Sequence, residues 1–173
     1  GSTALMIPPQ TSTIASHLPK ALGAAYGIGM ARRARPALAH LPKDGIAYVS
    51  FGDASLNHST AQGAINAAGW TAVQCVPLPL LMCCEDNGIG ISVKTPPGWV
   101  RASMEHRAGI TYFYADGLDL FETYRVASDA AEYVRTRRKP AFLHLRTVRL
   151  YGHAGPGVAA PYLSKAELEA DEA

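Results

Sequence analysis

Short apolar runs alternate along the chain with longer stretches whose apolar residues recur at helical spacing. Four runs stand out: "IAYVSF" at 46–51, "LPLLMCCE" at 78–85, "GITYFYA" at 109–115 and "AFLHLRTV" at 141–148. They are continuously apolar, without an in–out alternation, which predicts strands buried on both faces. Between them the spacing predicts helices over 19–34, from Ser59 to about Trp70, over 99–107, and from "DGLDLFET" to about Arg138. Pro19 suits a first helical turn, where its missing N–H costs nothing. Asp119 and Glu122 form a capping-box pattern, and Pro140 reads as a stop. Gly23, Ala24, Gly27 and Ala31 leave one face of the first helix thin, which predicts close packing on a sheet. Strand and helix alternate throughout, so the expected class is α/β, a parallel sheet with helices on both faces. In such sheets ligands bind at the carboxyl ends of the strands. "GDAS" (52–55), "EDNGIGIS" (85–92), "ADGLD" (115–119) and "LYGHAGPG" (150–157) are all expected there.

Composition narrows the function classes. The 173 residues suffice for one domain with a real core. Sixteen basic residues against 14 acidic ones give a net charge of +2, no reason to invoke nucleic acid or an anionic membrane. The basic cluster "RTRRK" at 135–139 falls at a helix end, where cations suit the dipole. No apolar run reaches the ~20 residues of a membrane span. Three cysteines without zinc-type spacing read as inert thiols in a reducing compartment, and the expected location is the cytoplasm. Both ends read as cut. "GS" at 1–2 is read as an expression scar, 148–173 as a loop and the start of a truncated helix capped by Ser164 and Glu167, and the whole as a piece of a longer chain.

The candidate chemistry lies on two of the expected strand ends. Asp53 follows one buried strand and Asn87 the next, one strand–helix–strand unit on, so the two can stand side by side. Taken singly, Asp53 reads equally as a helix cap or a ligand, and Asn87 before Gly88 more often as a plain turn. Together, one carboxylate and one neutral amide oxygen suit a Mg²⁺ ion that takes its remaining oxygens from a ligand's phosphates and water. Gly52, Ala54 and Ser55 are small enough for backbone N–H groups to approach a phosphate.

"GDAS" followed by "EDNGIGIS" resembles the thiamine-diphosphate motif, Gly-Asp-Gly and then Asn-Asn. "SHLPKALGAAYG" and "RLYGHAG" are similar to the alpha subunit, or alpha half, of the decarboxylating component of 2-oxoacid dehydrogenase complexes. The likeness runs from about Gln10 to Gly155 and covers that family's diphosphate-binding domain, here 1–173. It implies a thiamine-diphosphate-binding fold in which Asp53 and Asn87 hold Mg²⁺ by side-chain oxygens and Ile89 by its carbonyl. Gly52, Ala54 and Ser55 would face the diphosphate, which His153 would contact. Ser12 and Ile14 would lie under the aminopyrimidine. His17 stands where related enzymes often carry Gln, and reads either as facing the reacting carbon or as a core or helix-start histidine.

The resemblance also implies partners: a pyrimidine-binding beta domain or subunit supplying the activating glutamate, a lipoyl-bearing acyltransferase that takes the acyl group, a 2-oxo acid, and an oligomer. Departures are Ala54 for the third Gly, Asp86 for the first Asn, a longer interval between the two motifs, Pro156-Gly157 after "GHAG", and Leu163 after Tyr162. Two other readings compete. One is a transketolase-type enzyme; the other is a dissected, non-catalytic domain. A dinucleotide-binding domain is disfavoured, because "GAAYGIG" at 23–29 lies within a helix pattern.

Overall fold

The computed structural model describes residues 1–34, 36, 41–153, 164–166 and 169. Four strands form one sheet: β1 (Ala47–Gly52), β2 (Leu80–Asp86), β3 (Thr111–Asp116) and β4 (Ala141–Arg146). Their order is β1-β2-β4-β3, and every pairing is parallel. Gly52 lies opposite Glu85, and Asp86 opposite Arg146, so the strands end level with one another.

Helices cover both faces. Val49, Phe51, Leu80, Met82, Cys84 and Phe142 pack under α1 (His17–Ala34), α2 (Ser59–Val73) and α3 (Trp99–Met104). Leu81, Cys83 and Leu143 point the other way, onto Val126, Ala130 and Val134 of α4 (Leu120–Arg137). Neighbouring residues of the central strands β2 and β4 thus feed opposite cores, which is why they read as apolar runs. The edge strand β1 is not buried on both faces as expected: Val49 and Phe51 point inward and Tyr48 is exposed, because no strand flanks its outer side among those described. The fold expected from the sequence is the fold observed. Among the described residues no helix is long and apolar enough to cross a membrane.

Two local expectations need correction. The thin face of α1 does not pack on the sheet. Leu18, Ala25 and Ile28 are the buried residues of that helix among those described, while side chains built at Gly23 or Gly27 would meet nothing within 4 Å. Periodicity located the helix but not which of its faces was inward. At α4, Asp119 caps as expected, accepting from Phe121 N and Glu122 N at 2.9 Å each. Glu122 does not close the box. The Asp119 amide already donates to Asp116 O, and Glu122 instead accepts from Asp116 N. Arg138, in the left-handed conformation, closes the helix, and its guanidinium donates to Gly45 O at 2.9 Å. Glu167 and the 156–157 and 162–163 departures lie outside the described residues.

Candidate cofactor and metal site

The site is built on the ends of β1, β2 and β4. Beyond β1 the chain enters a 3-10 turn, Asp53–Asn57. Asp53 is 1% exposed, and its side chain does not cap a helix: the turn has no side-chain cap, and α2 is capped by His58, whose Nδ1 accepts from Thr60 N. The cap reading of Asp53 therefore falls. Its carboxylate accepts a hydrogen bond from the Thr95 hydroxyl. A buried carboxylate with so few protein partners is expensive unless a cation or further donors reach it.

Thr95 comes from the loop after β2. That loop doubles back on itself: Gly90 N donates to Val93 O at 2.8 Å and Thr95 N to Gly88 O at 2.9 Å. It lies across the 3-10 turn so closely that a Cβ on Gly90 would sit 3.1 Å from that of Ala54. Here is the reason for the small residues around Asp53: bulk at 54 or 90 would lift the loop and carry Thr95 away. The Cys84 thiol lies beneath. Burial first, then the Asp86 and Asp53 carboxylates, push its pKa up, which puts both acids close to one sulfur.

Asn87 stands in the turn that ends β2. Its Oδ1 accepts from Ile89 N at 3.1 Å, so the side chain makes the local turn, and the amide oxygen keeps a second lone pair. Ile89 is buried. Beside it Asp86 bridges three groups. Its Oδ1 accepts from Gly88 N at 3.0 Å, its Oδ2 meets His144 Nε2 at 2.9 Å, and its carbonyl accepts from Thr147 N at 2.8 Å. The His144 hydrogen bond holds the Asp86 carboxyl below its usual range, against the opposing effect of burial and with help from the Gly88 amide. The segment leaving β4 is tied in by Arg149, which donates to Gly90 O at 2.8 Å and to Ile91 O at 3.2 Å. It leads to His153, which is exposed.

The remaining predicted residues lie on the segment before α1 and at its start. Ser12 and Ile14 are exposed on the segment before α1. His17 Nε2 lies 2.9 Å from Ser50 O on the outer edge of β1, so it pins the helix start to the strand, as one of its two readings expected. A cavity of about 930 Å³ runs along that edge, between β1 (Ala47 to Ser50), α1 and the apolar Leu5–Ile7. It lies beside the strand, away from Asp53. The structure thus brings Asp53 under the loop that begins at Asn87 and Ile89, with Ala54 and Ser55 in the adjoining turn. It shows no contact between His153, Ser12 or Ile14 and that cluster. Sequence reasoning missed Thr95, Arg149, His144 and Tyr112. Of these only His144 carried a signal, as the lone polar residue inside "AFLHL".

The model of the family described as "Dehydrogenase E1 component" matches residues 6–170. The chain belongs to the dehydrogenase E1 component family. This E1 chain is 28% identical over 172 residues to the 2-oxoisovalerate dehydrogenase subunit alpha 2, mitochondrial, of Arabidopsis thaliana, covering 98% of the chain and 33% of that protein. It is 31% identical over 128 residues to the pyruvate dehydrogenase E1 component subunit alpha of Rickettsia felis, covering 72% and 37%. It therefore spans about a third of the length of the curated relatives it matches. Among solved structures, a transketolase from Leishmania mexicana aligns with a TM-score of 0.56 at 21% identity over 79% of this chain and 20% of its own. A transketolase mutant from Pichia stipitis aligns at 0.59 and 21% identity, over 80% of this chain and 20% of its own. At that identity these likenesses concern the fold alone.

Proposed function

We propose that the protein carrying this chain is the thiamine-diphosphate-dependent decarboxylating component of a 2-oxoacid dehydrogenase, and that 1–173 is its diphosphate- and Mg²⁺-binding domain. The observation that carries the reading is the buried Asp53 carboxylate, enclosed by the loop that begins at Asn87, in a chain of the E1 family. The donor set fits the metal. One carboxylate, one amide oxygen and the Ile89 carbonyl are hard oxygen donors of the kind Mg²⁺ prefers. Among the described residues no cluster of three His, Cys, Asp or Glu could hold a metal by itself. A cation here would need further oxygens, and a diphosphate supplies them.

Bound thiamine diphosphate supplies the electron sink for loss of CO₂ from a 2-oxo acid. This chain's residues bind and orient. Asp53 provides the one negative side chain of the metal site, and Thr95 fixes its rotation. Asn87 and Ile89 add neutral oxygens from a turn stiffened by Asp86. His153 would contact the diphosphate from the segment that Arg149 ties down, and Ser12 and Ile14 would lie under the pyrimidine. The acyl group passes to a lipoyl-bearing acyltransferase, and a pyrimidine-binding domain or subunit provides the activating glutamate. The exposed Tyr26, Met30, Trp70 and Val73 on α1 and α2 are the surface for that docking, in an oligomer. Cys75, Cys83 and Cys84 are free thiols, which supports a reducing compartment such as the cytoplasm.

The test is CO₂ release from 2-oxo acids by the full protein and by the isolated chain. Release by the full protein and none by the chain is expected. Ketol transfer between sugars without CO₂ release would give the site to a transketolase-type reaction, and turnover by the isolated chain would mean that it holds its own activating acid.

A further inference from the structure

Asp53 and His144 are the two buried polar or charged residues among those described. Asp53 has a place in the metal site, whereas His144, 5% exposed, stands behind it on β4. Its two ring nitrogens are both engaged. Nε2 lies 2.9 Å from Asp86 Oδ2 and Nδ1 lies 2.6 Å from the Tyr112 hydroxyl. The Arg101 guanidinium on α3 covers the neighbouring Tyr114 ring, 4.8 Å from its centroid.

The direction of the two bonds follows from the carboxylate end. An ionised carboxylate can only accept, so His144 Nε2–H donates to Asp86, and Nδ1 of the neutral ring accepts from the Tyr112 hydroxyl. The other Asp86 oxygen accepts from Gly88 N, the amide that follows Asn87. The chain begins at Tyr112 on β3, crosses to His144 on β4, and ends on the turn that presents Asn87. Its links are side chains on rigid elements, and Tyr112 is itself stacked on Phe142, with ring centroids 6.2 Å apart.

We propose that Tyr112, His144 and Asp86 form a positioning relay that sets the orientation of the Asn87 turn and so the affinity of the site for Mg²⁺. The proposal rests on the metal-site reading above. None of the three touches the ligand; each acts through the next, as hydrogen-bonded groups behind metal ligands commonly do. The bland reading is a core histidine that is merely satisfied. That reading predicts losses in stability that follow packing volume and leave metal affinity alone.

The two readings separate by calorimetric titration of Mg²⁺ into the full protein at saturating thiamine diphosphate, with melting temperatures alongside. His144→Leu keeps bulk and removes both bonds, and should weaken Mg²⁺ about 10- to 100-fold. His144→Gln restores a donor to Asp86 and an acceptor for Tyr112, and should return affinity to within roughly threefold of the parent. Tyr112→Phe keeps the stacking, removes the hydroxyl and should cost roughly two- to fivefold. Parent affinity in a folded His144→Leu protein overturns the relay, as does equal loss in the Leu and Gln variants. If His144→Leu does not fold, Tyr112→Phe decides, unchanged affinity overturning the relay and a loss supporting it. Asp53→Ala is the control. If it keeps Mg²⁺ binding, the metal site and the relay fall together; if it loses binding while His144→Leu does not, the relay alone falls.

Discussion

Two turns at the same edge of one sheet are held in opposite ways. The hydrogen bonds of the turn after β1 hold its backbone and its far end, as His58 N to Ser55 O and Trp99 Nε1 to Asn57 Oδ1, and leave the acid to its surroundings. Asp53 is kept in place by burial, by a loop lying across Ala54, and by a single hydroxyl from Thr95. The turn after β2 is half-buried and built from hydrogen bonds. Asn87 bonds Ile89, Asp86 bonds Gly88 and His144, and Thr147 closes the backbone. The charged member is confined by packing, and the neutral member by directional bonds. A lone buried carboxylate is costly to the empty protein and repays that cost when a cation arrives. A neutral amide has no such pull and needs its geometry imposed beforehand.

The sharpest break of this contrast is Asp53→Ala in the full protein. Loss of a positioned charge partner costs roughly 2–5 kcal/mol, or about 30- to several-thousand-fold in Mg²⁺-dependent thiamine diphosphate affinity by calorimetry. Unchanged affinity would remove Asp53 from the metal site. Thr95→Val comes next and acts on stability. A hydrogen bond to a charged group contributes about 1.5–3 kcal/mol, so the melting temperature of the metal-free protein should fall by several degrees. A melting point equal to the parent's would show that packing alone confines Asp53. Asn87→Ala should cost less on both counts, about 0.5–1.5 kcal/mol of stability, and less cofactor affinity than Asp53→Ala. A larger affinity loss at Asn87 than at Asp53 would reverse the assignment of roles.

The smallest effect concerns the thiols under the site. Burial pushes the Cys83 thiol up to about 11 and Cys84 higher still, while Cys75 is exposed. Thiolate is the reactive form, so at pH 8 iodoacetamide should modify Cys75 first and reach the other two only on unfolding. Peptide mapping of the modified sites checks this. Early labelling of Cys84 would mean that the floor beneath Asp53 opens in solution.

The central strands were legible because burial on both faces leaves an apolar run, as in "LPLLMCCE" and "AFLHL"; "IAYVSF" was recognised as a strand but misjudged as buried on both faces, since β1 is an edge strand and leaves Tyr48 exposed. Asp53 and Asn87 were legible as a pair because parallel topology puts successive strand ends together. What supports them was not. Thr95 is separated from Asp53 by a whole strand–helix–strand unit and a folded loop, and nothing in "VKTPPG" announces its partner. His144 and Asp86 meet only because β4 lies beside β2, an adjacency that chain order does not reveal. The face of α1 was misjudged for a related reason: small residues permit close packing without saying on which side the neighbour stands.

That adjacency also orders events in time. β4 follows β3 in the chain, yet it lies between β2 and β3. Among the described strands, β3 and one edge of β2 find their hydrogen-bonded neighbour only when Ala141–Arg146 emerges from the ribosome. His144 rides on that late strand, so the Asn87 turn can be set only when the sheet closes. Synthesis arrested at Pro140 should therefore leave the β3 amides open to hydrogen exchange while β1 and β2 are already paired, and protected β3 amides in such a chain would show that the sheet closes by another route. The strand that joins β2 to β3 thus also delivers the side chain that steadies the Asn87 turn.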